Sequence, residues 1–383
     1  MNNWQEVRLE DIIDVNPSVN LKKGEEYPFI DIDKVSPSLR TVTNEETKIY
    51  DGQGSKFCPG DTVFSRITPC LENRKIAQVS TSEPGFGSTE FYVFRAKKNL
   101  ADPDYTYFLT SSDAVVLPAI NSMSGASGRQ RADKRFIQRH KLKVPSVPEQ
   151  RKIAGILSAY DNLIELNNKR IKVLEQMAEN LFKEWFVRFR FPGHETAEFE
   201  NGLPKGWSIC KLGDITHIKA GGDRPEICSE TPTEVTSVPV FSNGIDNEGL
   251  YGYTKNPEIE KESVTISARG TVGYVCLRRV PYVPIVRLIA IIPSINSLPA
   301  IYLFYYFRQD SIIANGTSQQ QITVPMVSKK RIIVPPIQLL SEFERFEKPV
   351  WDEMDNIKKQ NNELAKQRDL LLPRLLSGKL EVF

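Results

Sequence analysis

The chain has little of what builds metal centres or covalent cross-links. Among its 383 residues are five cysteines and three histidines. Cys58, Cys70, Cys210, Cys228 and Cys276 are scattered, odd in number and form no C-x-x-C pair, and the histidines lie far apart. A zinc site is therefore not expected, and buried or free thiols are the plain reading. An unbroken apolar run is missing too. The most hydrophobic region, LIAIIPSINSLPAIYLFYYF (288–307), is interrupted by Pro293, Asn296 and Pro299. It reads as a buried strand followed by a helix, not as a membrane span. MNNWQEVRLEDI, at the amino terminus, has charges where an export signal needs an apolar core, which makes a cytoplasmic location the expectation. Neither sign of charge dominates: 50 lysines and arginines against 48 acids leave a net +2, a balance that names no partner.

Catalytic motifs are absent as well. A DNA adenine methyltransferase holds its flipped base with an [DNS]PP[YF] tetrapeptide. The nearest match, DPDY (102–105), has Asp104 where the second proline belongs and reads as a helix start. GQGSK (52–56) is too short for GxxxxGK[ST], so it does not form a phosphate-cradling loop. There is no GxSxG and no clustered set of carboxylates of the kind a nuclease needs. No catalytic and no metal-binding residues are expected in this chain.

What is present has the composition of a globular protein, 40% hydrophobic and 26% charged, with a length that suits two or three domains. At VPSVPEQRKIAGIL (144–157) two prolines give way to an apolar-periodic run. Proline suits a helix's first turn but not its interior, so Pro148-Glu149-Gln150 reads as a helix start with its acid near the positive end of the dipole. From there Ile153, Leu157, Tyr160, Ile164, Asn167, Ile171, Leu174, Ala178, Leu181 and Trp185 recur at alternating steps of four and three. This is the seam of a coiled coil, and a helix over about 148–187 would be roughly 60 Å long. A second stripe, Phe343, Phe346, Val350, Met354, Ile357, Asn361, Leu364, Arg368, Leu371 and Leu375, lies near the carboxyl end, where Pro349 puts the helix's start and straightness in doubt. Asn167 and Asn361 both take seam positions, where a polar residue costs stability but fixes register. Two helices packed into separate domain cores remain the alternative at this point.

The helices belong to a larger internal repeat. Trp4 to Ile12 and Trp207 to Ile215 share W-x3-[RK]-L-x-D-I, SGASGRQ (124–130) resembles NGTSQQQ (315–321), and Val144-Pro145 matches Val334-Pro335. Strands are predicted at 62–67, 75–80 and 90–96, and again at 263–268, 273–280 and 284–292. A helix is predicted after each set, at 104–117 and 299–313. The boundaries read as a globular domain over 1–146, a long helix over 147–190, a Pro- and Gly-containing linker over 191–206, a second globular domain over 207–336, and a second long helix over 337–383. Both domains are α/β (α+β) units built on a sheet.

This chain resembles, over essentially its whole length, the specificity (S) subunits of type I restriction–modification systems. The segment from VPSVPEQRKIAGIL to LFKEWF resembles that family's central region, NNELAKQRDLLLPRLLSGKL its carboxy-terminal one, and LPKGWSICKLGDI the start of its second target-recognition domain. PGDTVFSRITPCLENRKIA (59–77) and GFGSTEFYVFR (85–95) resemble one class of first recognition domain. The resemblance implies two tandem target-recognition domains separated by two long helices that pair as an antiparallel coiled coil about a pseudo-twofold axis. It implies that each domain reads one half of an asymmetric, bipartite target in double-stranded DNA and that the helices set the gap. It also implies two modification (methyltransferase) subunits and restriction (nuclease/translocase) subunits as partners, which carry the S-adenosylmethionine, ATP and Mg chemistry. A subunit serving methylation only, or a coiled-coil scaffold binding proteins, are the competing readings.

Loop stretches combining Arg, Asn, Gln, Ser and Thr can bond base edges bidentately or grip phosphates. In the first domain the candidates are Arg66, Thr68, Glu72, Asn73, Arg74, Ser88, Thr89, Ser127, Arg129 and Gln130. In the second they are Ser242, Asn243, Arg269, Thr271, Ser318, Gln319, Gln320 and Gln321. Within RQRADKRFIQRHKLK (129–143), seven basic residues stand against Asp133 alone. Lys134, Arg135 and Arg139 there contact phosphate or simply face water. Trp185, Phe186 and Phe189 form either a helix–domain junction or a docking patch for a modification subunit.

Overall fold

A computed structural model describes residues 4–43, 46–126, 128–294, 298–309 and 321–382. The chain divides into two compact units, Met1–Arg170 with Asn356–Phe383, and Ile171–Asp355.

In the first unit the strand Gln5–Arg8 pairs antiparallel with Lys141–Val144, tying the start of the globular part to its end. A helical turn, Leu9–Ile12, leads into a five-stranded sheet in the order 13–15, 91–96, 62–65, 76–79, 41–42. Thr62–Ser65 and Ile76–Val79 are buried at every position, so the sheet is covered on both faces. The period-2 geometry of strands divides the side chains. Phe64, Phe94 and Ile76 join the core beneath the helices Pro103–Ser111 and Asp113–Asn121. Val63, Val93, Ala77 and Val79 face the other way, onto Ile30 and Phe57 of a second sheet ordered 47–49, 26–30, 85–87, 55–57.

The second unit repeats this plan. Ser208–Lys211 pairs antiparallel with Arg331–Val334. The main sheet runs 216–220, 288–293, 263–267, 275–278, and the smaller one 250–254, 238–241, 283–284. Strand for strand, these match the first unit's central order.

Three expectations change. The helix expected over 104–117 is two helices broken at Ser112, whose hydroxyl turns back to the carbonyl of Leu109 at 2.6 Å. DPDY does begin the first of them: Asp102 accepts from the amides of Asp104 and Tyr105 at 3.0 and 3.1 Å. The run 284–292 splits into Val283–Pro284 and Leu288–Pro293, which enter different sheets. The helix expected over 299–313 runs from Ala300 to Gln309, directly after Pro299, and its positions 310–313 lie outside the described residues. Pro349 does not interrupt the second long helix, which runs from Ile337 to Leu376 through both Pro349 and Pro373.

The first long helix spans Val147–Phe182 and continues as a π-helical turn, Lys183–Val187. Its start is locked by Gln150, which is almost fully buried: its amide donates to the carbonyls of Pro145 and Leu100 at 3.0 and 3.3 Å and accepts from the Asp102 amide at 2.9 Å. Trp4 donates to Glu149 at 3.1 Å. The two helices are antiparallel. In the first unit Asn167 donates to Asn361 at 2.8 Å, Asn361 donates to Asn168 at 2.9 Å, and Arg368 meets Asp161 at 2.5 Å. Ile153, Leu157, Ile164, Asn167 and Leu375 are buried there, with Tyr160, Asn361, Leu364, Leu371 and Arg368 half-buried. In the second unit Ile171, Ala178 and Met354 are buried, with Leu174, Leu181 and Trp351 half-buried; Ile357, which belongs to the first unit, is buried. Trp185 lies 5.9 Å from Phe343, ring to ring. Phe346 lies at the rim of this seam: it is half exposed but meets the Trp185 ring edge to face at 5.9 Å, and Glu347 beside it is buried.

Candidate nucleic-acid interface

In the first unit three chain segments far apart in sequence come together beyond the end of strand Thr62–Ser65. Residues 66–68 are zipped to 130–132: the Thr68 amide donates to the Gln130 carbonyl at 3.0 Å, and the Ala132 amide to the Arg66 carbonyl at 2.8 Å. The Thr68 hydroxyl accepts from the Gln130 amide at 3.1 Å. The third segment is 88–90, whose Glu90 carbonyl accepts from the Arg66 amide at 2.9 Å. Arg131 grips the Glu90 carboxylate with two nitrogens, Nη2 to Oε1 at 2.6 Å and Nε to Oε2 at 2.9 Å. Arg66 Nε reaches the same carboxylate at 3.2 Å. The Arg131 contact holds the Glu90 carboxyl below its ordinary range, with the Arg66 charge adding to it. Arg66 also lies over the Tyr92 ring, 5.4 Å from its centre.

Of the first-domain candidates, Arg66, Thr68, Ser88, Thr89, Arg129 and Gln130 belong to these segments, with Thr89 and Arg129 exposed. Glu72 and Asn73 are exposed on the turn that follows. Arg74 goes elsewhere: its guanidinium bonds the Ser111 carbonyl at 3.1 Å and Asp113, tying that turn to the helices. Ser127 lies outside the described residues. Sequence reasoning missed Glu90 and Arg131. Arg131 had a signal in the basic run, whereas Glu90 had none, because its role exists only once 66, 90 and 131 meet.

In the second unit Asn243 is the hub. Its side chain donates to the Arg269 carbonyl at 2.8 Å, its carbonyl accepts from the Thr271 hydroxyl, and the Ser242 hydroxyl reaches its Oδ1 at 3.2 Å. Arg269 donates to Gln321 Oε1. The loop returns through Gly249, whose φ of +81° and 2.2 Å approach of an added Cβ to the Ser242 carbonyl leave no room for a side chain. Arg278, almost fully buried, supports it from below: it donates to the Glu248 carbonyl at 2.8 Å and Thr265 at 2.9 Å, and stacks 3.7 Å from the centre of Phe241. Ser242, Asn243, Arg269, Thr271 and Gln321 are thus brought together, while Ser318, Gln319 and Gln320 lie outside the described residues.

Two of the three aromatics are interior and the third, Phe189, is half-buried. Trp185 and Phe186 are buried, and Phe189 packs on Trp207 at 5.3 Å. These rings form the helix–domain junction, and the docking-patch reading for them is withdrawn. Among the described residues no group of three or more His, Cys, Asp or Glu could hold a metal ion, and no helix is long and apolar enough to cross a membrane.

Residues 1–176 and 204–373 match the family model of the type I restriction modification DNA specificity domain, once in each half. The chain belongs to this family. It is a type I specificity subunit with two target-recognition domains. The type I restriction enzyme MjaIX specificity subunit of Methanocaldococcus jannaschii is 28% identical over 413 residues, covering 99% of this chain and 94% of that protein. The HindI specificity subunit of Haemophilus influenzae is 23% identical over 472 residues, covering 99% and 100%. In fold, the chain is similar to the crystal structure of a type I S subunit from M. genitalium, with a TM-score of 0.58 at 15% identity over 98% of this chain and 96% of that one.

Proposed function

We propose that this subunit is a non-catalytic adaptor that directs modification and restriction subunits to an asymmetric, bipartite DNA site. Each recognition domain reads one half, and the helix pair sets the unread gap. The observation that carries the reading is the repeated frame: two units with one strand order, each presenting different donor and acceptor side chains on equivalent loops. Methyl transfer with S-adenosylmethionine, and ATP- and Mg-dependent translocation and cleavage, belong in this reading to the partners, in the cytoplasm where the DNA lies. Partner recruitment is supported by a second apolar stripe on the first helix, outside its seam: in the first unit Ile156, Leu163 and Leu166 are 39%, 44% and 61% exposed.

The test is modified-base sequencing of a host lacking its own adenine methylation and expressing this chain with the modification subunit encoded beside it. A split motif, two short halves around a fixed gap, is the expected result. A stable complex that leaves no motif would favour a protein-binding scaffold. A motif without cleavage when the restriction subunit is added would make the subunit a methylation-only one.

A further inference from the structure

One spot in each domain is framed by the same two backbone hydrogen bonds. In the first domain the Arg66 amide donates to the Glu90 carbonyl at 2.9 Å and the Ala132 amide to the Arg66 carbonyl at 2.8 Å. In the second the Ala268 amide donates to the Arg287 carbonyl at 2.8 Å and the Ile322 amide to the Ala268 carbonyl at 3.0 Å. Sheet register agrees, with Ser65 opposite Phe91 and Ser267 opposite Leu288. Arg66 therefore corresponds to Ala268, Glu90 to Arg287, and Arg131 to Gln321, the residues before Ala132 and Ile322.

The frame is kept while the side chains change. At the first spot one carboxylate is shared by two arginines. At the second no acid replaces Glu90: Arg287 is exposed, and Gln321 accepts from Arg269. Residues that read different base edges in the two half-sites change in charge and reach on a constant main chain. We propose that Arg66, Glu90 and Arg131 in the first domain and Arg287 and Gln321 in the second are specificity-determining, the buried Ala268 only keeping the frame, and that the first domain uses its arginines on a guanine. Guanine's O6 and N7 are the paired acceptors a guanidinium fits. Glu90 is the positioning residue here: its oxygens are already taken by Arg66 and Arg131, so it aims the arginines rather than accepting from cytosine.

This inference rests on the two-half-site reading, and one sequencing experiment separates the two. Arg131→Gln, Glu90→Gln and, in the second domain, Arg287→Glu are expressed with the modification subunit. The first two should relax or change one base of the same half-site, lowering methylation of wild-type sites at least about tenfold relative to sites altered at that base. Arg287→Glu should act on the other half alone. Assembly is checked on the same preparations by gel filtration. Arg131→Lys, which keeps the charge but loses the planar fork, takes the place of any first-domain variant that fails to assemble and should relax the same base. Unchanged motifs in all variants overturn the proposal, as does uniform loss at both halves from assembled complexes. A wild-type complex that methylates without a split motif sinks the two-half-site reading itself.

Discussion

At the scale of single residues, the second unit holds a buried acid whose cost depends on pH. Glu347 is 1% exposed and receives a hydrogen bond from the Tyr305 hydroxyl at 3.0 Å, which in turn accepts from the Trp351 indole at 3.0 Å. Burial raises its pKa from 4.5 to about 7. The folded state then binds the proton more tightly than the unfolded one, so stability falls as pH rises from 4.5 through 7. The full cost, on the order of 3 kcal/mol, is reached above that window. Glu347→Gln should therefore melt higher than wild type at pH 8 and equal to it near pH 4.5, in thermal scans across that range. A constant difference at every pH would show that Glu347 is not the titrating group. Nothing in the sequence pointed to Glu347, because Phe346 beside it occupied the expected seam position. Gln150 was legible as part of a helix start, but not as the buried clasp that joins three segments.

At the scale of elements, the long helices were readable because an apolar repeat of four and three is a packing constraint that local accidents seldom mimic. Pro349 misled for a physical reason. A proline removes one backbone hydrogen bond, and a helix buried along one face by tertiary packing withstands that loss. The break at Ser112 was hidden because the apolar pattern continues across it. Asn167 and Asn361 give the element-scale prediction. Asn361→Ala leaves the Asn167 amide without its partner in the seam and should cost about 1–3 kcal/mol. Replacing Asn167 and Asn361 together by Leu should recover that loss or exceed wild-type stability, while weakening the preference for one register. Denaturant melts of the two variants check it, and equal losses in both would refute the pairing argument.

At the scale of the whole molecule, the duplicated plan was legible because W-x3-[RK]-L-x-D-I recurs at the same place in each half, where the strand pairs with 141–144 or 331–334. The reading face was less so. Its side chains come from segments such as 66, 90 and 131, which meet only through sheet topology. Net charge was uninformative for a similar reason: it averages over the chain and hides a locally basic helix in the first domain. The short helix Lys134–Arg139 carries Lys134, Arg135 and Arg139, while its counterpart Val324–Lys329 carries Lys329 alone.

If these faces lie on the phosphate backbone, the two halves must differ in how strongly salt weakens them. Each neutralised phosphate contributes about 0.9 to the slope of log K against log salt concentration. Changing Lys134, Arg135 and Arg139 together to Gln should lower the slope for duplex DNA by about 2–3, whereas Lys329→Gln should lower it by about 1. The base motif should stay the same in both, since phosphate contacts position the protein and do not read sequence. Titrations of the assembled complex at several salt concentrations measure both slopes. An unchanged slope in the triple variant would mean that the first domain's basic helix faces water, leaving DNA affinity to the loops that read the bases.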